Sequence, residues 1–424
     1  MEELQDNWEE ESSPKKAKRT ILTEPIVMPS FEASEEQVQY AREYSASKIA
    51  ERKRMKELYE KQSDERLKAA GCVSKFYKTL ISDPYFVQMH LVKSARNPHL
   101  ALMWQDDLMR EDGNIIFLSV SRLLRNKYTT PFQSGTFNQW WIIGLCNGLL
   151  CLVDIQNPDY HYYLYFWNPA TRTKSRNILI TLSRDFKFSF GYDILSKTYK
   201  VLAFIVESVD GTSVVKVLSM EDDSWRNIQC FPVLPLYWFD HDKNQGVYLS
   251  GTINWLALHN YFYSDYEFDN VSKITVEQYV IVSLDLSTES YTQLLLPRGF
   301  DEVPRVQPTI VVLMDSLCFG HDFKGSHFVI WKMKDFRVQE SWIQLLKISY
   351  QNICSSQYLL KFETMELLPL YLSKKGDALI LANDQIDAAF IYKCRENRGE
   401  PIQITNKVQW LWAKDYVESL VSTS

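Results

Sequence analysis

The amino-acid sequence predicts a mainly β fold: a six-unit β-propeller-like domain preceded by short α-helical segments. Three observations predict it. Beyond about residue 99 the apolar spacing changes from helical to short alternating runs separated by turn residues. A pattern of acid, serine, aromatic, any residue, amide and aliphatic recurs as Asp223-Ser224-Trp225-Arg226-Asn227-Ile228, Glu289-Ser290-Tyr291-Thr292-Gln293-Leu294 and Glu340-Ser341-Trp342-Ile343-Gln344-Leu345. Apolar strands ending near Leu118, Trp167, Met220, Leu286, Met333 and Cys394 follow one another at a mean spacing of about 55 residues, which suits a propeller blade and is too long for ankyrin or leucine-rich units. A lone sheet of two to four strands is marginal in water, so such units stack face to face, and closing the ring removes the exposed end faces. A β-sandwich-like stack of irregular sheets is the structural alternative.

From the N terminus, residues 1–33 mix acidic runs, Ser, Pro and Lys with few apolar side chains. Burial cannot offset the entropy of ordering them, and they read as a disordered tail. Within it Pro14-Lys15-Lys16-Ala17-Lys18-Arg19 is a basic cluster that reads either as solvated tail or as a nuclear import signal. Residues 34–70 read as a charged helix: Ser34-Glu35-Glu36-Gln37 fits a capping box, no Pro or Gly interrupts, and Gly71 ends it. Its apolar residues, among them Val38, Ile49, Met55 and Leu67, are scattered among charges, and the heptads of a coiled coil are missing. From Cys72 the pattern tightens, with Cys72, Val73, Phe76, Tyr77, Leu80 and Ile81 on one side of a helix. Asp83-Pro84 then supplies an N-cap and an N1 proline for a second short helix carrying Tyr85, Phe86, Met89 and Leu91. Residues 71–95 are thus helical, and the β domain spans 96–417.

Within the β domain each echo follows an apolar strand, respectively Val214 to Met220, Tyr279 to Leu286 and Phe328 to Met333. A second kind of strand opens on a small or turn residue: Gly148-Leu149-Leu150-Cys151-Leu152, Gly251-Thr252-Ile253-Asn254-Trp255-Leu256, Ser316-Leu317-Cys318-Phe319 and Gly376-Asp377-Ala378-Leu379-Ile380-Leu381. Glycine lets the chain turn tightly into the strand. Ile115 to Leu118, Leu164 to Thr171 and Phe390 to Cys394 complete the set of six.

Composition and motifs narrow the functional classes. A chain of 424 residues with 46% apolar and 14% aromatic content buries a large core. No apolar run approaches the roughly 18–20 residues of a membrane span. Met1 to Glu11 is acidic and polar, with neither a basic leader nor an apolar stretch, so the expected location is cytoplasm, nucleus or both. Seven cysteines (72, 146, 151, 230, 318, 354, 394) form no CxxC pair and read as reduced, small hydrophobes. A net charge of -6 argues against nonspecific nucleic-acid binding. No GxSxG, HExxH, GxGxxG or P-loop sequence is present, and the histidines are scattered, so neither catalytic residues, metal ligands nor a cofactor are expected. Trp225, Tyr291 and Trp342 recur in register and read as packing between units. Binding residues are sought where units differ, in Tyr237 to Gln245, His259 to Ser272 and Arg298 to Gln307. The middle segment, dense in tyrosine and acid, supplies the candidate partner contacts Tyr261, Phe262, Tyr263 and Tyr266, with a loop tucked onto the domain as the other reading.

These residues resemble a plant F-box protein carrying the F-box-associated, kelch-related interaction domain. Cys72-Val73-Ser74-Lys75 through Asp83-Pro84-Tyr85-Phe86 is similar to the end of an F-box and its following helix. Asn147-Gly148-Leu149-Leu150-Cys151-Leu152, Trp167-Asn168-Pro169-Ala170-Thr171-Arg172, Phe190-Gly191-Tyr192-Asp193 with Tyr199-Lys200-Val201-Leu202, and Gly251 to Leu256 resemble the signature strands of the associated domain. The resemblance covers about residues 72–395. It implies a substrate-recognition subunit of an SCF-type E3 ubiquitin ligase, in which the F-box docks on a Skp-type adaptor joined to cullin and the β domain holds the target protein. Catalysis would then belong to other subunits. Cys72, Val73, Phe76, Tyr77, Leu80 and Ile81 are the implied adaptor contacts. The chain departs from the family before Cys72: residues 1–71 contain neither the opening Leu-Pro with its Ile/Leu helix nor the Leu-Pro-Val-Lys stretch, so the first half of the F-box is missing or replaced. Losing it removes apolar contact area from the adaptor interface. The alternatives are an orphan protein-binding propeller that has lost ligase coupling, and a propeller hydrolase or lectin.

Overall fold

The computed structural model describes residues 79–423 apart from 106–111, 126–127, 130–131, 139, 155–160, 182–185, 208–211, 223, 237–245, 260–273, 354–364, 384–387 and 405–407. All of these belong to the unit spanning 59–424. The expected tail at 1–33, the charged helix at 34–70 and the first helical residues from Cys72 lie outside them. Thr79–Ile81 is helical and leads, through Asp83, into helix α1 (Pro84–Ser94). Asp83 is its N-cap, the carboxylate accepting the Phe86 amide at 2.9 Å, and Pro84 fills the first turn where no amide hydrogen is needed. Phe86 and His90 are buried on its inner side while Val92 is exposed.

From His99 the chain builds six antiparallel blades. The first begins with β1 (His99–Gln105) and β2 (Asp112–Ser119), passes through the short helix α2 (Val120–Leu123) and β3 (Tyr128–Thr129), and adds β4 (Phe132–Asn138). The second holds β5 (Trp140–Cys146), β6 (Leu149–Asp154), β7 (His161–Asn168) and β8 (Thr173–Lys174), with β9 (Ile178–Thr181) paired along the remainder of β7. The third is β10 (Lys187–Asp193), β11 (Thr198–Glu207), β12 (Thr212–Ser219) and β13 (Arg226–Ile228); the fourth is β14 (Val247–Leu249), β15 (Thr252–Leu258), β16 (Tyr279–Asp285) and β17 (Tyr291–Leu295). The fifth is β18 (Thr309–Leu313), β19 (Ser316–Phe323), β20 (His327–Met333) and β21 (Trp342–Ser349); the sixth is β22 (Leu367–Leu372), β23 (Ala378–Asn383), β24 (Ala388–Lys393) and β25 (Arg398–Pro401). The chain then runs through β26 (Gln403–Ile404), which pairs in parallel with β3, into β27 (Val408–Tyr416). β27 pairs with β1 as the innermost strand of the first blade, His99 opposite Tyr416, so both ends of the domain share one sheet and the ring is closed.

The reason for stacking lies in the strands' two apolar faces. On β15, Ile253, Trp255 and Ala257 point into the interface with the third blade, while Leu256 and Leu258 point into the interface with the fifth. On β23, Leu379 and Leu381 face the fifth blade and Ile380 and Ala382 face the first. Period-two alternation therefore feeds two interfaces at once, which is why these strands read as near-continuous apolar runs. The core accordingly divides into six clusters, one at each junction between neighbouring blades.

The recurrent features of the sequence occupy equivalent places. The six strand ends near Leu118, Trp167, Met220, Leu286, Met333 and Cys394 each close the third strand of a blade counted from the axis. The three echoes open the outermost strands β13, β17 and β21. Their aromatic rings each lean on the preceding blade: Trp225 on the cluster containing Phe166 and Phe188, Tyr291 on Phe231 at 5.3 Å between centroids, and Trp342 beside β17, its indole N–H donating to the Leu295 carbonyl at 3.1 Å. Packing is their role.

Candidate interaction faces and axial cavity

In an antiparallel blade entered by its inner strand, the connections between strands one and two and between three and four emerge at one end, and the others emerge at the opposite end. Here the first set is a face of mostly short turns, the exception being 120–131 between β2 and β4, which carries α2 and β3. The second carries the long connections: 229–246 between β13 and β14, 259–278 between β15 and β16, 296–308 between β17 and β18, and 350–366 between β21 and β22. Of the three segments singled out in the sequence for partner contact, 298–307 and His259 stand on this connection face, whereas 237–245 and 260–272 lie outside the described residues.

The signature motifs belong to the turn face and fasten it together. Asn147 and Gly148 both adopt positive φ (51° and 76°) in the turn from β5 to β6, and a Cβ on Gly148 would come within 2.3 Å of the Val417 carbonyl oxygen. Asn168 is fully buried. Its side-chain carbonyl accepts the Ala170 and Thr171 amides, while its NH2 donates to the Ser419 and Val421 carbonyls at 3.1 and 2.7 Å. The two motifs thus hold the segment after β27 across the second blade.

A buried charge cluster joins the third and fourth blades. The Lys200 ammonium lies 2.9 Å from Asp193, 3.1 Å from Glu289 and 2.5 Å from the Leu286 carbonyl. Glu289 also takes both terminal nitrogens of Arg226, and the Ser287 hydroxyl donates to Asp193. Burial pushes the Asp193 carboxyl up, but hydrogen bonds from Ser287, Ser196 and Lys200 outweigh it and hold the group well below the usual carboxylate range. Burial also raises Glu289, and Arg226 and Lys200 overcome that as well. Beside this cluster Gly191 leaves room for the ring of Tyr248, whose hydroxyl donates to the Tyr192 carbonyl at 3.0 Å and accepts the Gly251 amide at 3.2 Å.

On the connection face, Tyr261, Phe262, Tyr263 and Tyr266 lie outside the described residues. The base of their loop is pinned: the Gln278 side chain donates to the His259 carbonyl at 2.7 Å and accepts the Thr275 amide at 2.7 Å. The 298–307 segment is anchored by Phe300, buried against Tyr279, Phe319 and His321, and leaves Arg298, Asp301, Glu302 and Arg305 exposed. Of the implied adaptor contacts, Leu80 is buried and Ile81 half-buried, whereas Cys72, Val73, Phe76 and Tyr77 lie outside the described residues. Because β1 starts where β27 ends, α1 leads into the domain on the turn face, opposite the long connections.

A cavity of about 350 Å³ lies on the propeller axis, lined by the inner strands of all six blades. Ile143, Val247, Val311 and Leu368 contribute apolar walls. Gln307 and Glu366 stand at the start of their strands, at the connection-face end, and Lys414 and Asp415 at the turn-face end of β27. Sequence reasoning did not find this set, because which strands become innermost is decided by ring closure. Among the described residues no group of three His, Cys, Asp or Glu is placed to hold a metal ion.

Comparison with protein families agrees with this architecture. The model of the F-box associated beta propeller domain matches residues 120–423. An F-box/kelch-repeat protein of Arabidopsis thaliana is 23% identical, over 83% of this chain and 89% of its own length. A putative F-box protein of the same plant is also 23% identical, over 71% and 83%, and the F-box protein CPR1 is 24% identical over 63% and 65%. Among solved structures, a chain of a nidogen/laminin complex aligns with 76% of this chain and 99% of its own length, at 10% identity and a TM-score of 0.40. With the family model covering most of the six-bladed ring, the chain belongs to the plant F-box proteins that carry the F-box associated beta propeller domain.

Proposed function

We propose that this protein is the substrate-recognition subunit of an SCF-type E3 ubiquitin ligase, holding a target protein on the connection face of its propeller. The observation that carries the reading is the family match over residues 120–423, together with relatives named as F-box proteins. The placement of α1 on the turn face supports it, since a Skp-type adaptor and cullin attached there leave the opposite face free for the target. Transfer chemistry then resides in other subunits, and this chain works by binding, in the cytoplasm, the nucleus or both.

The adaptor contact falls on Cys72, Val73, Phe76, Tyr77, Leu80 and Ile81, and the target contact on the 259–272 loop with Tyr261, Phe262, Tyr263 and Tyr266, flanked by Arg298 to Arg305. The test is affinity capture of the tagged full chain from plant cells. Adaptor and cullin should co-purify with the wild type and be lost with Ile81→Asp, whose half-buried site tolerates the change. A properly folded wild type that captures neither ends the ligase reading.

The composition of residues 1–71 favours a second reading, in which the propeller binds its partner without ligase coupling. A complete F-box grafted ahead of Cys72 would then create adaptor binding and partner turnover where the native chain has none.

A further inference from the structure

We propose that the axial cavity is a binding site for a small, largely apolar molecule that ends in a protonated amine. It is separate from the protein-binding face and does not depend on the ligase reading.

Each blade presents the free edge of its inner strand to the axis, since β5, β10, β14, β18, β22 and β27 stand first in their sheets. Unpaired backbone groups from those edges therefore line a tube whose side chains are mostly apolar, with polar ones toward its ends. Its volume, about 350 Å³, lies at the lower end of the roughly 300–1,000 Å³ typical of small-molecule sites and is too small for a folded partner. Apolar walls with a few convergent polar groups are the usual composition of such sites.

The polar groups set the sign of the ligand. At one end the Gln307 side-chain oxygen is buried with no hydrogen-bond partner among the described residues, an acceptor in want of a donor. At the other end Asp415 lines the cavity, and the carboxylates of Asp315 and Asp377, from the inner turns of the fifth and sixth blades, act on the same region. Lys414 and Glu366 also line the cavity, and each already has an interaction of its own. Acceptors at both ends and an acidic mouth fit a donor-bearing cation and repel a carboxylate or phosphate.

The groups acting on Asp415 make the site sensitive to pH. Although Asp415 keeps a solvent-exposed side, desolvation at the cavity wall pushes its carboxyl up to about 6, and the charge of Asp315 adds to the effect. Among the described residues Tyr371 and Lys414 are further ionisable neighbours. A bound ammonium favours the ionised carboxylate, so amine affinity rises between pH 5 and pH 7.

The test uses the purified full chain with 2-phenylethylamine as probe and 3-phenylpropanoate and 2-phenylethanol as controls, measured by ligand-observed NMR and calorimetry. The amine should bind saturably and more tightly than either control. Asp415→Asn should weaken it at least tenfold and abolish its pH dependence, and Gln307→Leu should weaken it several-fold. Val311→Phe, which enlarges a side chain shared by the cavity wall and the fifth–sixth blade core, should weaken binding of all three probes. The proposal is overturned if the amine fails to saturate up to about 5 mM, if the carboxylate competes equally, or if Asp415→Asn binds as well as the wild type. Where Val311→Phe does not fold, Asp415→Asn decides, because it is isosteric and removes a repelled charge.

Discussion

Replacing Lys200 by methionine tests the clasp between the third and fourth blades. The side chain keeps its stem and volume but loses the ammonium that touches Asp193, Glu289 and the Leu286 carbonyl. Asp193, whose side chain is only 2% exposed, then holds a negative charge with no cation beside it. Glu289 keeps Arg226 and is affected less. Removing one partner from a buried ion pair costs about 3–5 kcal/mol, and the surviving Arg226 pair argues for the lower part, about 3–4 kcal/mol. Unfolding entropy for a domain of this size is about 0.7 kcal/mol per kelvin, so the melting midpoint should fall by about 4–6 °C. Asp193→Asn in the same chain removes the uncompensated charge and should recover part of the loss, giving a coupling of about 1–3 kcal/mol in a double-mutant cycle. Urea unfolding followed by tryptophan fluorescence provides the measurement. A loss below about 1 kcal/mol in the single variant, or zero coupling, would refute the account of this cluster.

Three further outcomes follow from the same geometry. Gly148→Ala and Gly376→Ala both place a methyl group at positive φ, but only the first meets backbone, at 2.3 Å, whereas nothing lies within 4 Å of the second; calorimetry should show about 1 kcal/mol lost at Gly376 and at least twice that at Gly148. Asn168→Asp keeps the acceptor for Ala170 and Thr171 but sets a carboxylate against the Ser419 and Val421 carbonyls, so it should destabilise more than Asn168→Ala and speed proteolysis of the residues after Tyr416. Burial holds His321 below its ordinary value; its Nε2 accepts the Trp331 indole hydrogen and its Nδ1–H donates to the Asp322 carbonyl. The unfolded chain therefore takes up a proton near pH 6.5 that the folded state refuses, and stability falls as pH drops below that value. Asp415 acts in the opposite sense. Its folded value of about 6 exceeds the unfolded one, so its contribution is present in acid and lost as pH rises from about 4 to about 6. Asp415→Asn should thus raise stability at pH 7 and make the acid loss due to His321 steeper, as read from melting midpoints between pH 5 and pH 8.

What the sequence made legible was what repeats. The echo around Trp225, Tyr291 and Trp342 was readable because the outer strands of blades three, four and five each open on a large ring that leans on the preceding blade. The third strands were readable because burial on both faces leaves an uninterrupted apolar run. The same turn also recurs under changing sequence: Asn168, Asp193 and Asp285 each accept the amides two and three residues on, with positive φ at the residue after the second of these, at Arg172, Lys197 and Glu289. What stayed hidden depends on closure. Nothing local in Val408 to Tyr416 says that it will complete the first blade, and only that pairing brings Asp415 to the axis beside strands of blades five and six. Nor does Lys200 announce its partners in the next blade, Leu286 and Glu289, which lie 86 and 89 residues away. The family motifs were visible as motifs, but their role was not: Asn168, Gly148 and Gly191 serve the joints of the ring rather than a partner.

The central claim is that a protein bound at the connection face is delivered for ubiquitination through the opposite end of the molecule. Its most direct test is the half-life of whichever protein co-purifies with the wild-type chain, measured by pulse-chase mass spectrometry in cells depleted of this protein and re-supplied with either wild type or Ile81→Asp. The account predicts that the partner turns over quickly with wild type and persists with Ile81→Asp, although both forms bind it equally. Equal half-lives in the two cell lines, with binding intact, would contradict it.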